Sequence, residues 1–136
     1  MGTLIDAGPL VAVLNRSERT HGTCVRTLAQ VSMPLVTTWP CVTEAMYLLG
    51  REAGRSGQAL LWSIIEHGQL EVHPSTAAEA RRMRVLMEKY QDAPMDLADA
   101  SLVAAAETRE LRRVFTFDNH FRVYRAHNRE PFEVVP

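Results

Sequence analysis

Short apolar runs along the chain alternate with longer segments in which apolar residues recur at the spacing of a helix. Each apolar run has the length of a buried strand and is followed by polar or turn-forming residues. Strands that alternate with helices in this way predict an α/β domain built on a mostly parallel sheet with helices packed against it. The predicted strands cover residues 3–5, 35–37, 70–73, 114–117 and 132–135.

Several of the predicted helices have recognisable start and stop residues. Thr76, followed three residues later by Glu79, has the pattern of a capping box and opens a long helix. Gly50 is a favourable residue just beyond a helix end, so the helix that precedes it is expected to stop there. Helices are predicted from residue 10 onwards and at 21–31, 42–49, 58–66, 76–90 and 96–107.

Composition limits the possible classes of protein. The chain has 136 residues, of which 46% are hydrophobic and 23% charged, so we expect one globular domain over residues 1–136. Its net charge of −1 excludes a protein that holds nucleic acid by overall charge, and any RNA contact must use a local patch.

The N-terminus does not resemble a signal peptide and no apolar run is long enough to span a bilayer, so we expect a cytoplasmic protein without membrane association. Cys24 and Cys41 lack the spacing of a disulfide framework or zinc site and are expected to be buried thiols.

Acidic residues stand just beyond the predicted strands. Asp6 follows the first strand, Asp118 follows the fourth, and Glu44 lies in the first turns of the helix after the second. Ligands of open α/β sheets bind outside the carboxyl ends of the strands, so these acids are expected to lie together. Asp96 and Asp99 are three residues apart at the start of a helix and therefore share a face.

Carboxylates brought together at one edge of a sheet repel one another unless cations neutralise them. Hard divalent cations take oxygen ligands, and such a site can activate water and stabilise charge on a phosphodiester. Each acid also has a simpler interpretation. Asp96 or Asp99 can cap its helix, Asp118 can belong to a turn, and Glu44 can be an exposed acid of a first helical turn.

Four segments resemble, in order and spacing, the signature blocks of PIN-domain nucleases. The residues that flank the second block, 37–40 and Leu48-Leu49, are similar to those of the VapC-type toxin branch of that family. The four segments are Leu4-Ile5-Asp6-Ala7, Thr43-Glu44-Ala45, Asp96-Leu97-Ala98-Asp99-Ala100 and Phe115-Thr116-Phe117-Asp118.

The resemblance implies a PIN-like three-layer sandwich and an Mg²⁺- or Mn²⁺-dependent endoribonuclease that serves as the toxin of a type II toxin–antitoxin system. It also implies an RNA substrate, a cognate antitoxin protein and a homodimer. The alternative is a non-catalytic PIN-like module that binds RNA or another protein. The implied catalytic and metal-binding residues are Asp6, Glu44, Asp99 and Asp118, with Asp96 as a further metal ligand. Thr116 is expected to support the acids, or else to be an ordinary β-branched strand residue.

Two other classes that use strand-end aspartates do not fit this chain. Haloacid-dehalogenase-like phosphatases need two aspartates flanking one residue, whereas Asp6 is followed by Ala7 and Gly8. Receiver domains need a lysine after a late strand, but Lys89, the only lysine, falls in a predicted helix. The five histidines are not expected to form a metal site.

The two tryptophans remain to be placed. Trp62 is expected to pack against other residues, in the core or at an interface, because it lies among apolar residues of a predicted helix. Trp39 stands close to Glu44, and it can belong to the core, to an interface or to a surface on which a base stacks.

Overall fold

A five-stranded sheet lies at the centre of the computed structural model, which describes residues 1–136. Its strands, in the order β3-β2-β1-β4-β7, are all parallel to their neighbours, which confirms the predicted α/β class. A separate antiparallel pair, β5 with β6, was not predicted, because strands of two residues are too short to show a hydrophobic period. The strands are β1 (Thr3–Ile5), β2 (Leu35–Thr38), β3 (Leu70–His73), β4 (Arg113–Phe115), β5 (Arg125–Ala126), β6 (Glu130–Pro131) and β7 (Glu133–Val135).

Helices cover both faces of the sheet, as in the predicted three-layer sandwich. Successive residues of a strand point to opposite faces, and the buried side chains separate accordingly. Leu4 packs in a cluster with α4 and α5, whereas its neighbour Ile5 packs in a second cluster with α1, α2 and α3. The helices are α1 (Ala7–Leu14), α2 (His21–Leu28), α3 (Trp39–Glu66), α4 (Ala77–Lys89) and α5 (Leu97–Arg109).

The prediction that a helix ends at Gly50 is wrong. Helix α3 continues past this residue, and the backbone breaks instead at Gly54, with φ 64° and ψ −157°. Gly50 allows a close approach, since a methyl group there would overlap the amide of Gln58. That amide donates a hydrogen bond to the carbonyl of Met46, at 3.2 Å, across the break.

Other boundaries differ from the sequence in smaller ways. Helix α1 begins at Ala7, so Pro9 lies in its first turn, where a missing N–H costs nothing. Strand β4 ends at Phe115, which leaves Thr116 beyond the sheet edge. The core placement of Trp62 is wrong, because 47% of this residue is exposed, and its placement at an interface stays a prediction. Both cysteines are free and buried, as predicted, and none of the helices is long and apolar enough to span a membrane.

Candidate active site

Asp6 lies at the carboxyl edge of the sheet, directly after the central strand β1. Its backbone N–H donates to the carbonyl of Phe115, at 2.9 Å, so the ladder between β1 and β4 fixes the position of this residue. As the N-cap of α1, the carboxylate accepts a hydrogen bond from the N–H of Ala7 at 2.8 Å through Oδ1. The neighbouring strands β2 and β4 lead to Glu44 and Asp118, so the three acids reach the same edge, as the strand positions predict.

The start of α5 is tied to the ends of β1 and β2. The hydroxyls of Thr38 and Ser101 lie 2.6 Å apart, and that of Ser101 also donates to the carbonyl of Ala98. Cys41, in the first turn of α3, lies with its sulfur 3.8 Å from Oδ1 of Asp6. These buried contacts hold the first turns of α3 and α5 beside Asp6.

Asp96 and Asp99 occupy different positions at the beginning of α5. Asp96 is the N-cap, and its Oδ1 accepts a hydrogen bond from the N–H of Asp99 at 2.8 Å. The capping interpretation of Asp96 is therefore correct, although only one of its two oxygens makes this bond. Asp99 is buried, with 6% of its surface exposed, and accepts a hydrogen bond at 2.9 Å from the phenol of Tyr124.

The hydroxyl of Thr116 connects two of the acids. It donates to Oδ2 of Asp6 at 2.8 Å and accepts from the N–H of Asp118 at 3.0 Å. Asp118 in turn caps a short 3₁₀ helix, Asn119–Arg122, by accepting from the N–H of His120 at 2.9 Å. The imidazole of His120 also contacts the Asp118 carboxylate at 2.8 Å, so Asp118 has a local structural role as the cap of this 3₁₀ helix rather than as part of a simple turn.

The acids influence one another electrostatically. Burial, followed by the negative charges of Asp96, Asp118 and Asp6, raises the pKa of Asp99 to about 7 despite the hydrogen bond from Tyr124. Burial also raises the pKa of Asp6, against its hydrogen bonds from Thr116 and Ala7, and the charges of Asp96 and Asp118 add to the effect. The pKa of Glu44 is raised by burial and then by the charges of Asp6 and Asp96. The predicted acids therefore share one electrostatic neighbourhood.

No lysine or arginine forms an ion pair with these acids, and the six arginines that do form ion pairs contact glutamates elsewhere. His120 beside Asp118 is the one basic side chain in ion-pair contact. Apart from that imidazole, the cluster has no internal cation to balance it. We refer to Asp6, Glu44, Asp96, Asp99 and Asp118 as the acidic pocket.

Three residues of this region were not identified from the sequence: Tyr124, His120 and Cys41. The aromatic residues around Tyr124 indicate packing, and nothing in their pattern shows that the phenol reaches Asp99, 25 positions earlier. His120 follows Asp118 closely, and this proximity could have suggested the contact. Burial and the charge of Asp6 raise the pKa of the Cys41 thiol well above its usual range, so it remains protonated.

A second group of potential metal ligands lies outside the acidic pocket and is the more compact one, since no three carboxylates of the acidic pocket have ligand atoms within 4.8 Å of one another. The ligand atoms of Glu110, His127 and Glu130 all lie within 4.8 Å of one another, although the histidines were not expected to join such a group. Arg112 already binds both glutamates, and Nε2 of His127 lies 2.9 Å from a carboxylate oxygen of Glu110. An internal cation thus balances this group, in contrast to the acidic pocket.

Comparisons with known proteins agree with this geometry. The family model described as PIN domain matches residues 3–126. The chain is 27% identical over 134 residues to Ribonuclease VapC26 of Mycobacterium tuberculosis, covering 98% of this chain and 99% of that protein. Among solved structures, it resembles M. tuberculosis VapC20, a toxin that cleaves the sarcin–ricin loop, with a TM-score of 0.79 and 19% identity over 86% of this chain and 90% of that one. It also resembles a chain of a toxin–antitoxin complex from Klebsiella pneumoniae, with a TM-score of 0.69 and 17% identity over 99% and 97% of the two chains.

Proposed function

This chain belongs to the PIN domain family, and from that premise we propose that it is a divalent-metal-dependent endoribonuclease acting as the toxin of a toxin–antitoxin pair. The observation that carries the proposal is the acidic pocket. Buried carboxylates with raised pKa values and no arginine or lysine partner are costly to maintain unless a bound cation balances them.

The chemistry of the pocket supports Mg²⁺ or Mn²⁺ as that cation. All five side chains offer carboxylate oxygen, and the nearby Cys41 thiol is held protonated by its raised pKa. A set of hard oxygen donors suits these ions better than zinc or copper, which favour sulfur and nitrogen ligands. When bound, the metal would lower the pKa of its water and neutralise charge on the phosphodiester.

The ligands divide into a fixed pair and a more accessible set. Asp6 is held by Thr116 and by the N–H of Ala7, and Asp99 is held by Tyr124, so both carboxylates are oriented before any ligand arrives. Because the pKa of Asp99 is about 7, its carboxyl group is partly protonated near neutral pH. Cation binding would displace that proton. Glu44 and Asp96 are exposed at the rim, where they can reach a cation together with its phosphate ligand.

An antitoxin protein is proposed as the partner because of the charge of the acidic pocket and the similarity of the chain to known toxins. A pocket lined by acids and lacking an internal cation is complementary to a basic side chain of another protein. The similarity to Ribonuclease VapC26 and to a chain of a toxin–antitoxin complex supports an antitoxin as that protein, with RNA as the substrate. We also propose that the toxin is a homodimer. Expression of the chain alone should arrest growth, and co-expression of its antitoxin should relieve the arrest.

The direct test is cleavage of structured and unstructured RNA with Mg²⁺ or Mn²⁺ and with EDTA. We expect metal-dependent hydrolysis that leaves a 5′-phosphate and a 3′-hydroxyl, because water attacks without use of the 2′-hydroxyl. A cyclic 2′,3′-phosphate product would contradict this mechanism. Absence of cleavage by folded protein, with RNA binding retained, would instead support the non-catalytic alternative.

A further inference from the structure

An open cleft of about 480 Å³ lies beside the acidic pocket, between the first turns of α3 and α5. The buried contact between Thr38, the N-cap of α3, and Ser101 of α5 joins the elements on either side of the cleft. The cleft is lined by Trp39, Pro40 and Thr43 from α3, and by Asp96, Leu97 and Ala98 from the start of α5.

Two large apolar side chains of this cleft are left accessible. Trp39 is 46% exposed and Leu97 is 52% exposed, although both stand at the ends of well-packed helices. The indole of Trp39 is supported by that of Trp62, with ring centroids 6.5 Å apart and planes inclined at 50°. Thr43 donates to the carbonyl of Trp39 at 3.0 Å, which fixes the backbone that carries the ring. An aromatic surface is therefore held open to solvent.

The cleft is continuous with the acidic pocket, because Asp96 belongs to both. The charge of Asp96 raises the pKa of Asp6, Glu44 and Asp99, which places the cleft next to the carboxylates whose bound cation would hold the reacting phosphate. Trp39 also lies on the same helix as Glu44, five residues before it. A nucleotide adjacent to the scissile phosphate thus has this cleft within reach.

The charge of the cleft indicates which part of a nucleotide it accepts. Asp96 is its only charged side chain, and no arginine or lysine lines it. A phosphate would be repelled there, whereas the uncharged face of a base can stack on an indole. Base–aromatic stacking needs a base that is free of its own duplex, as in the single-stranded loops that proteins recognise in RNA.

We propose that Trp39 and Leu97 form a subsite for a nucleobase next to the scissile phosphate, which restricts cleavage to RNA with an unpaired nucleotide at that position. This inference rests on the proposed ribonuclease function. Trp39 acts here as a substrate-binding residue and takes no part in the chemical step.

The first test compares steady-state cleavage by Trp39→Ala, Trp39→Phe and Tyr47→Ala. Loss of one stacked base should raise KM roughly 5- to 150-fold in Trp39→Ala. The value of kcat should stay unchanged, since stacking is equal in the ground and transition states. Trp39→Phe should restore most of the binding. Tyr47→Ala is the matched control, because Tyr47 is an exposed aromatic residue of the same helix outside the cleft, and it should behave as the wild type.

An abasic nucleotide placed next to the cleavage site should raise KM for the wild type but not further for Trp39→Ala. An unchanged KM in Trp39→Ala would overturn the subsite. So would a changed sedimentation coefficient in Trp39→Ala, because it would identify the cleft as a contact between protein chains.

A second test applies if the wild type cleaves no RNA. The chain has two tryptophans, so Trp62→Phe leaves Trp39 as the only indole. With Mg²⁺ present, a single-stranded RNA decamer should quench its fluorescence, and the same sequence in a duplex should not. Quenching without cleavage would uphold the subsite while the ribonuclease proposal fails. No quenching by saturating single-stranded RNA would overturn the subsite itself.

Discussion

Two buried carboxyl groups on neighbouring helices have opposite surroundings. Glu79 of α4 is 7% exposed and Asp99 of α5 is 6% exposed, so burial alone does not distinguish them. Glu79 accepts hydrogen bonds from Thr108 and from the N–H of Thr76, and it contacts His73 at 2.7 Å. Asp99 has a single donor, Tyr124, and otherwise faces carboxylates.

The pKa values of Glu79 and Asp99 differ because of their hydrogen-bonding and charged neighbours, and not because of how deeply the two groups are buried. Burial raises the pKa of Glu79, but Thr108, His73 and Thr76 together outweigh it and hold that pKa below its usual range. The pKa of Asp99 is raised to about 7, because its neighbours add to the effect of burial. An acid with a structural role is supplied with donors by the chain. Asp99 has only Tyr124 as a donor and lies among like charges, as expected of a residue that would bind a cation from solution.

The largest effect should follow from Asp99→Asn. If Asp99 is a metal ligand, activity should fall by more than about a hundredfold, which is the upper end of what loss of an outer hydrogen-bond partner costs. Asp96→Asn tests whether Asp96 is a metal ligand as well as a helix cap, since asparagine is also a good N-cap and preserves that role. Single-turnover cleavage rates measure both variants. A rate for Asp99→Asn within tenfold of the wild type would remove Asp99 from the catalytic set, and a wild-type rate for Asp96→Asn would leave Asp96 as a cap alone.

Thr116→Val should have an intermediate effect. It removes the hydroxyl that orients Asp6 and satisfies the N–H of Asp118, while keeping the size of the side chain. Outer-shell changes of this kind reduce activity or metal affinity by about 10- to 100-fold. Thr3→Val is the control, because Thr3 is equally buried but donates to the carbonyl of Ser32 at the other end of β1. The cleavage rate, measured against metal concentration, should fall in Thr116→Val but not in Thr3→Val. An equal loss of activity in both variants would mean that Thr116 contributes only packing.

The smallest effect concerns pH and the metal-free protein. The folded-state pKa of Asp99, about 7, exceeds its ordinary value of 3.8, so the fold favours the protonated carboxyl. Its contribution to stability is complete below 3.8 and is lost as the pH rises through about 7. In EDTA, the melting temperature should therefore rise as the pH is lowered from 8 to 5.5, and it should rise less in Asp99→Asn. Equal slopes for the two proteins would mean that Asp99 does not titrate in this range.

The sequence predicts the architecture because it depends on local patterns, whereas the full set of acids followed from the resemblance to PIN-domain nucleases and stays a prediction. Apolar runs locate the five strands of the main sheet, and the residues that follow strands locate Asp6 and Asp118. The break in α3 could not be placed, since several glycines occur there and only the packing shows that Gly54 takes the positive φ while Gly50 admits Gln58. Tyr124 was missed for a similar reason, because its bond to Asp99 depends on how two distant segments meet.

The measurement that tests the account most directly is the metal-induced change in melting temperature of the wild type, Asp99→Asn and Glu79→Gln. A cation that binds only the folded protein stabilises it by about 2.7 kcal/mol at a hundredfold excess over Kd. For a domain of this size, that is on the order of 5–10 °C in Tm. The account predicts that Mg²⁺ or Mn²⁺ raises Tm by this amount in the wild type and in Glu79→Gln, whose equally buried acid lies outside the acidic pocket. The shift should be largely lost in Asp99→Asn, which should also be the more stable protein in EDTA because a like charge has been removed. A wild type that does not respond to either metal, or an Asp99→Asn variant that responds as the wild type does, would contradict the claim that the acidic pocket binds the cation.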